Sequence, residues 1–396
     1  MTSNAAIDRI VERIGPELIA LRRELHQHPE LAFEEHETAK AVTGYLLGLG
    51  ITPKTGIAKT GVVGVVEGAR PGPTVGVRAD MDALPIEEQS GVAFASKNPG
   101  RMHACGHDAH TAIALGVAAV LQSMRGEMAG KVKLIFQPAE ETLNGAPAMI
   151  DAGVLEDPSM DCILGYHNWP PLEAGKVGYY PSVIMASSDA FDIVLKGKAA
   201  HAAHPHTGID AIVGAAQLIT QLQLIVSREI APAIPAVVTI GQIEGGTARN
   251  VIAGKVTLRG TARTLDAAAA KQVEASIRRI LQGLIPSLRL EYELTWIRQT
   301  PVLKNDPQVL AVVLGAARDI LGTDRVAEMG PPSMGSEDFA WFAERVPAAH
   351  LRIGSKIEGL DTQIHFANYD CNELAIPIGV RVISRAVLDL LSQPRK

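Results

Sequence analysis

Cysteine is scarce: Cys105, Cys162 and Cys371 are the only three in 396 residues. Three scattered thiols make no disulfide framework, and in a reducing compartment a cysteine set among histidines points to metal or catalysis. Basic blocks are lacking too. The formal net charge is -6, and no run of lysines and arginines could neutralise a phosphate backbone, which excludes nucleic acid as a partner. Long apolar runs are missing as well. The longest weakly polar stretch, AIALGVAAVL at 112–121, falls short of the about 20 residues that cross a bilayer. At the start of the chain, Asp8, Arg9, Glu12 and Arg13 stand where a signal peptide needs an unbroken apolar core. The expected compartment is therefore the cytoplasm, with no membrane partner.

What is present describes an ordered globular chain, 47% hydrophobic and 20% charged, long enough for more than one core. Ile7, Ile10, Val11, Ile14, Leu18, Leu21 and Leu25 recur at helical spacing, and a second helix ends at Gly50. Short apolar runs at 62–66, 74–79, 132–137 and 162–167 read as strands buried on both faces, with a helix from Ala109 to about Met124 between two of them. This order predicts an α/β domain with a mixed, mostly parallel sheet. From residue 187 the pattern becomes strand, helix, strand, strand, helix, strand, the order of a ferredoxin-like α+β unit. The expected organisation is a catalytic domain over 1–186 and 299–396, interrupted by an inserted domain over 187–298.

Chemistry gathers at the predicted strand ends. Asp80 and Asp82 follow VGVRA, Glu140 and Glu141 follow FQPA, His167 closes CILGYH, and His365 arrives from the far end of the chain. Open α/β sheets place their sites there. In RMHACGHDAHTA, Cys105 and His107 flank a glycine, so a thiolate and an imidazole can turn to one centre, a pairing that suits zinc. Neighbouring Glu140 and Glu141 on an extended segment point in different directions. One of them can coordinate a metal while the other serves as general base, the division of labour that metal-assisted hydrolysis requires. Asp108 and His110 are expected to shape the loop or orient ligands.

The motifs RADMDALPI, HACGHDAHTA, FQPAEE, GYHNWP, HAAHPHTGIDAI, NVI and GSEDFA occur in this order. Together they resemble the M20 metallopeptidase family, and most closely its amidohydrolase branch of hippurate hydrolase, N-acyl-L-amino acid amidohydrolases and auxin-conjugate hydrolases. The resemblance implies a two-metal catalytic domain and an inserted lid domain that usually dimerises, giving a homodimer or homotetramer. It implies Cys105, His107, Glu141, His167 and His365 as metal ligands, Glu140 as general base, and Asp82 as the aspartate that orients a ligand or tunes the base. His201 matches the family histidine that helps hold the carbonyl oxygen, often from the partner subunit, and Asn250 lies in a segment that resembles a substrate contact. Asp80 stands where the wider family has a histidine, and Cys105 where it has a bridging aspartate. Two divalent ions are implied, zinc first, with manganese or cobalt also compatible. The implied reaction is hydrolysis of the amide bond of a small-molecule N-acyl-L-amino acid. The alternatives are a metallo-dipeptidase or carboxypeptidase of the same family, a cysteine hydrolase with Cys105 as nucleophile and His107 or His110 as its base, and a non-enzymatic metal-dependent binding protein on an enzyme fold, against which the retention of Glu140 beside Glu141 argues.

Overall fold

The computed structural model describes residues 3–393. Its packing divides into two units: one runs to Ser182 and resumes over Lys304–Pro331 and from Asp338 onward, and the other comprises Val183–Leu303 and Pro332–Glu337. These boundaries differ from 186/187 and 298/299 for local reasons. The Val183–Met185 strand is too short to show alternation, and the Glu291–Thr300 strand runs on past 298. No composition signal marks the return of Pro332–Glu337 to the second unit.

The first unit is built on an eight-stranded mixed sheet in the order Lys54–Ile57, Gly61–Glu67, Ala129–Gln137, Arg70–Asp80, Cys162–Glu173, Ala348–Lys356, Val177–Tyr179, Val326–Glu328. The four central strands run parallel, whereas antiparallel pairs join Gly61–Glu67 to Ala129–Gln137 and Ala348–Lys356 to Val177–Tyr179. Val75, Val77 and Ala79, with Val132, Leu134 and Phe136, are buried on the face that the helices cover. Burial of each large side chain removes apolar area worth about 1.5–3 kcal/mol. The His107–Met124 helix lies in the middle of that layer, packed against Ser3–Gln27 and Ala375–Leu391. Its approach to the last helix is close enough to demand glycine, since a Cβ on Gly116 would stand 2.4 Å from Val380 and 2.7 Å from Leu18.

The second unit holds a four-stranded antiparallel sheet ordered Ala236–Gly245, Lys255–Thr264, Ser187–Lys196, Glu291–Thr300. With helices Ala211–Leu224 and Ala267–Ser287 between its strands, this is the ferredoxin-like arrangement. Asp210 and Asp266 cap the two helices by accepting from the amides of Ile212 and Val213, and of Ala268 and Ala269. Ala211–Glu229 is, by length and composition, apolar enough to cross a bilayer, a segment that counting unbroken apolar runs passes over. Its Ala211, Ala215, Leu218, Leu222 and Ile225 are buried in the core of this unit.

Candidate metal centre

The RMHACGHDAHTA loop folds around one residue. Gly106 takes a left-handed conformation (φ 84°) and caps the helix, which therefore begins at His107 and not at Ala109. A Cβ at Gly106 would lie 2.1 Å from Asn168 Nδ2 and 2.3 Å from Tyr369 Oη. Those two groups fix the loop: Asn168 Nδ2 donates to the Cys105 carbonyl at 2.8 Å, and Tyr369 Oη donates to Asn168 Oδ1 at 2.7 Å.

His167 lies within its strand, not at its end, because pairing with Ala348–Lys356 continues to Glu173. Its Nδ1 faces the Asn168 carbonyl, and His107 Nδ1 faces the Asp82 carbonyl at 2.9 Å. A carbonyl only accepts, so in both rings Nδ1 carries the proton and Nε2 offers a lone pair. His167 Nε2 stands 3.2 Å from Cys105 Sγ. His365, at φ 67° and tied by its amide to the Ala104 carbonyl at 2.8 Å, brings Nε2 to 3.4 Å from Glu141 Oε2.

Glu140 and Glu141 are not on extended backbone. The chain turns left-handed at Ala139 (φ 56°) and both glutamates sit in the following turn. Asp82 holds that turn, Oδ1 accepting from the Glu140 amide and Oδ2 from the Glu141 amide, each at 3.0 Å. Glu140 Oε1 also accepts from the Asp338 amide at 3.3 Å.

The structure thus brings Cys105, His107, Glu140, Glu141, His167 and His365 together. Cys105 belongs to two trios of mutually close donor atoms, one with His107 and His167 and one with Glu141 and His365. Such a set fits a pair of divalent cations. His107 Nε2 and Glu141 Oε1 are buried without a hydrogen-bond partner. Burial, reinforced by Glu141, Glu140 and Asp80, pushes the Cys105 thiol well up. Burial lifts Glu141 to about 7 against the pull of His107. Although burial opposes it, Asp80 and Asp82 raise His107 to about 10. A field that raises Cys105 is the reverse of one that activates a free thiolate, which argues against the cysteine-hydrolase alternative.

Asp80 is the last residue of its strand, with Oδ2 on Arg78 Nη1 at 2.6 Å and Oδ1 on His110 Nδ1 at 2.6 Å, and it forms a further trio of close donor atoms with His107 and His110. Full burial opposes ionisation, but the charges of His107, Arg78 and His110 hold its carboxyl well below the usual range. His110 Nε2 accepts from the amide and side chain of Asn168 at 2.8 and 2.9 Å, so its proton is on Nδ1, toward Asp80. Asp108 turns the other way, to Arg22 and His26 at 2.8 Å each. His201 and Asn250 lie in the second unit, exposed and adjacent to each other. His201 pairs with Val251, and the Ala202 amide donates to the Asn250 carbonyl at 2.9 Å.

With this geometry in hand, the chain can be set beside known proteins. The model of Peptidase family M20/M25/M40 matches residues 76–389. The chain belongs to this family. It is 44% identical over 288 residues to an N-acyl-L-amino acid amidohydrolase of Geobacillus stearothermophilus, covering 72% of this chain and 77% of that protein. It is 42% identical over 343 residues to an N-acetylcysteine deacetylase of Bacillus subtilis, covering 85% and 88%. A dinuclear metal-binding peptidase of the M20 family from Bacillus subtilis superposes with a TM-score of 0.83 at 35% identity, covering 96% of this chain and 99% of that one. Like its M20 relatives, the chain is a hydrolase acting on amide bonds.

Five residues essential to the shape of the centre escape sequence reasoning. Asn168 and Asp338 sit inside GYHNWP and GSEDFA, where a buried amide or carboxylate is a readable signal only once its neighbours are known. Arg78 binds Gln137 and Asp338 at 2.8 Å each. Tyr369 and Glu35 come from segments with no motif of their own.

Proposed function

We propose that this protein is a metal-dependent amidohydrolase that cleaves N-acyl-L-amino acids to a carboxylic acid and a free amino acid. The observation that carries the reading is the sharing of Cys105 between two donor trios beside the buried Glu140 carboxylate. Two ions would be held by Cys105, common to both sets of donors, with His107, Glu141, His167 and His365. Zinc is favoured by the thiolate, and manganese or cobalt also suit the oxygen and nitrogen donors. When bound, such a pair supplies Lewis acidity and a lowered water pKa.

The chain's own residues do the rest. Glu140, fixed at its amide by Asp82 and at Oε1 by Asp338, accepts the proton of the attacking water and returns it to the leaving amine. Asp82 sets both this base and the His107 ring, because its carboxylate takes the two glutamate amides while its carbonyl takes His107 Nδ1. We assign His201 to the carbonyl oxygen and Asn250 to the carboxylate of the amino-acid half of the substrate. The second unit is assigned the part of a lid and dimerisation domain in a cytoplasmic homodimer or homotetramer.

The test is hydrolysis of N-acetyl-, N-benzoyl- and N-lauroyl-amino acids beside free dipeptides, using chelator-treated enzyme with zinc, manganese or cobalt restored. Metal-restored release of amino acid from the acylated compounds is expected. Turnover of dipeptides alone would transfer the assignment to a peptidase.

A further inference from the structure

Glu35 is completely buried, and among the described residues no cation pairs with its carboxylate. It occupies the N-cap position of the His36–Gly48 helix without capping it. Its carboxylate instead reaches away to three neutral donors on three separate segments. Oε1 accepts from the Phe33 amide at 3.0 Å and the Ala139 amide at 2.8 Å, and Oε2 accepts from the Thr60 hydroxyl. Burial above all disfavours its ionisation, against the Thr60 and Ala139 hydrogen bonds that favour it, and the nearby Asp82 carboxylate adds to the effect of burial. A buried anion so placed is costly, and apolar packing would serve stability better.

The backbone at these contacts is equally unusual. Phe33, Ala58, Lys59 and Ala139 all have positive φ, at 62°, 49°, 77° and 56°. These are conformations that residues with a Cβ adopt rarely and that concentrate at functional sites when the surroundings enforce them. Every one lies in a segment that Glu35 holds: Phe33 and Ala139 directly, Ala58 and Lys59 through Thr60. Ala139 is the residue at which the chain leaves its strand and turns Glu140 into place. Its amide is taken by Glu35, and the next two amides are taken by Asp82.

We infer that Glu35 is a positioning residue for the general base: together with Asp82 it clamps three consecutive amides, 139 to 141, and so sets the direction of the Glu140 carboxylate. This rests on the assignment of Glu140 as the base. The Glu35 carboxylate bonds to Phe33, Thr60 and Ala139 and to none of the assigned metal ligands, so its effect reaches the base through the Ala139 turn.

The experiment compares Glu35→Ala with Glu35→Gln in the full-length enzyme. The glutamine carbonyl oxygen keeps both backbone bonds, and its amide can donate to Thr60, so the clamp survives; alanine removes it. For Glu35→Ala we expect kcat to fall about 10- to 100-fold, the loss that follows a misplaced catalytic group, with KM within about twofold. Glu35→Gln should restore kcat to within about threefold of the parent. Hydrogen exchange of the peptide spanning 137–145, read on metal-free protein with no substrate, should accelerate in Glu35→Ala and not in Glu35→Gln. If Glu35→Ala does not fold, Glu35→Asp, too short by one methylene to span the three donors, takes its place with the same readouts. Unchanged exchange over 137–145 in the clamp-breaking variant, or equal losses of kcat in Glu35→Gln and Glu35→Ala, would overturn the inference. Because exchange is read without turnover, it reports on the clamp even if the amide panel yields no activity.

Discussion

Replacing Gly106 by alanine is the sharpest test of how the centre is built. The residue sits at φ 84°, where an L side chain costs about 1–2 kcal/mol. The added Cβ would lie 2.1 Å from Asn168 Nδ2 and 2.3 Å from Tyr369 Oη, so both groups must retreat by more than an ångström, well beyond side-chain breathing. Their retreat breaks the Asn168–Cys105 and Tyr369–Asn168 hydrogen bonds, each leaving a buried polar group unsatisfied at about 1–3 kcal/mol. The expected loss is about 3 kcal/mol or more, a large share of the roughly 5–15 kcal/mol that holds a domain together. The assay is denaturant unfolding of chelator-treated protein, so that no metal contribution enters. Gly91→Ala is the control, since that glycine has φ 73° but nothing within 4 Å of its Cβ position. It should lose only the backbone penalty, about 1 kcal/mol. With the Cys105 carbonyl unanchored, metal affinity of the Gly106 variant should also fall about 10- to 100-fold. Equal destabilisation of the two variants would refute the steric reasoning.

Glu140→Gln should lower kcat by about 10²- to 10⁴-fold while metal stoichiometry, measured by elemental analysis, stays at the parent value; a loss of metal instead would make Glu140 a ligand. Cys105→Ser should weaken both ions, and zinc more than manganese, in direct titrations. Asn250→Ala should raise KM for acylated amino acids with kcat little changed, and an unaltered KM would remove Asn250 from the carboxylate contact. His26 governs a pH dependence. Burial opposes its charge, but Asp108 and Glu88 raise it to about 9 from 6.5. A raised folded value means its stabilisation is complete below pH 6.5 and is lost as pH climbs through 9, by roughly 3 kcal/mol. His26→Gln should flatten stability over that range in urea melts at stepped pH.

The periodic parts of this fold were legible because strands and helices with buried faces repeat their apolar residues at periods 2 and 3.6. Val75, Val77 and Ala79 announce a strand, and Ser187–Lys196 alternates along its length. Among the candidate site residues, those carrying distinctive chemistry stood out, since a cysteine beside a histidine or two glutamates after a proline have few other uses. The partners of Asp80, Arg78 and His110, become evident only in the folded sheet. Glu35 and Asn168 were invisible for the same reason: each works through backbone amides or carbonyls of segments far away in sequence, and such bonds leave no residue pattern. The positive φ of Ala139 is likewise unwritten, because alanine rarely adopts it.

The order of the segments has a consequence for biosynthesis. Cys105, Glu141 and His167 leave the ribosome early, then comes a module with its own core, Val183–Leu303, and only afterwards the strand Ala348–Lys356 and His365. Until that late strand arrives, Cys162–Glu173 shows an open hydrogen-bonding edge, the kind of edge on which unfinished chains aggregate. His365 is the last of these donors to be made, so the complete set exists only after the Val183–Leu303 module and the Ala348–Lys356 strand have been synthesised.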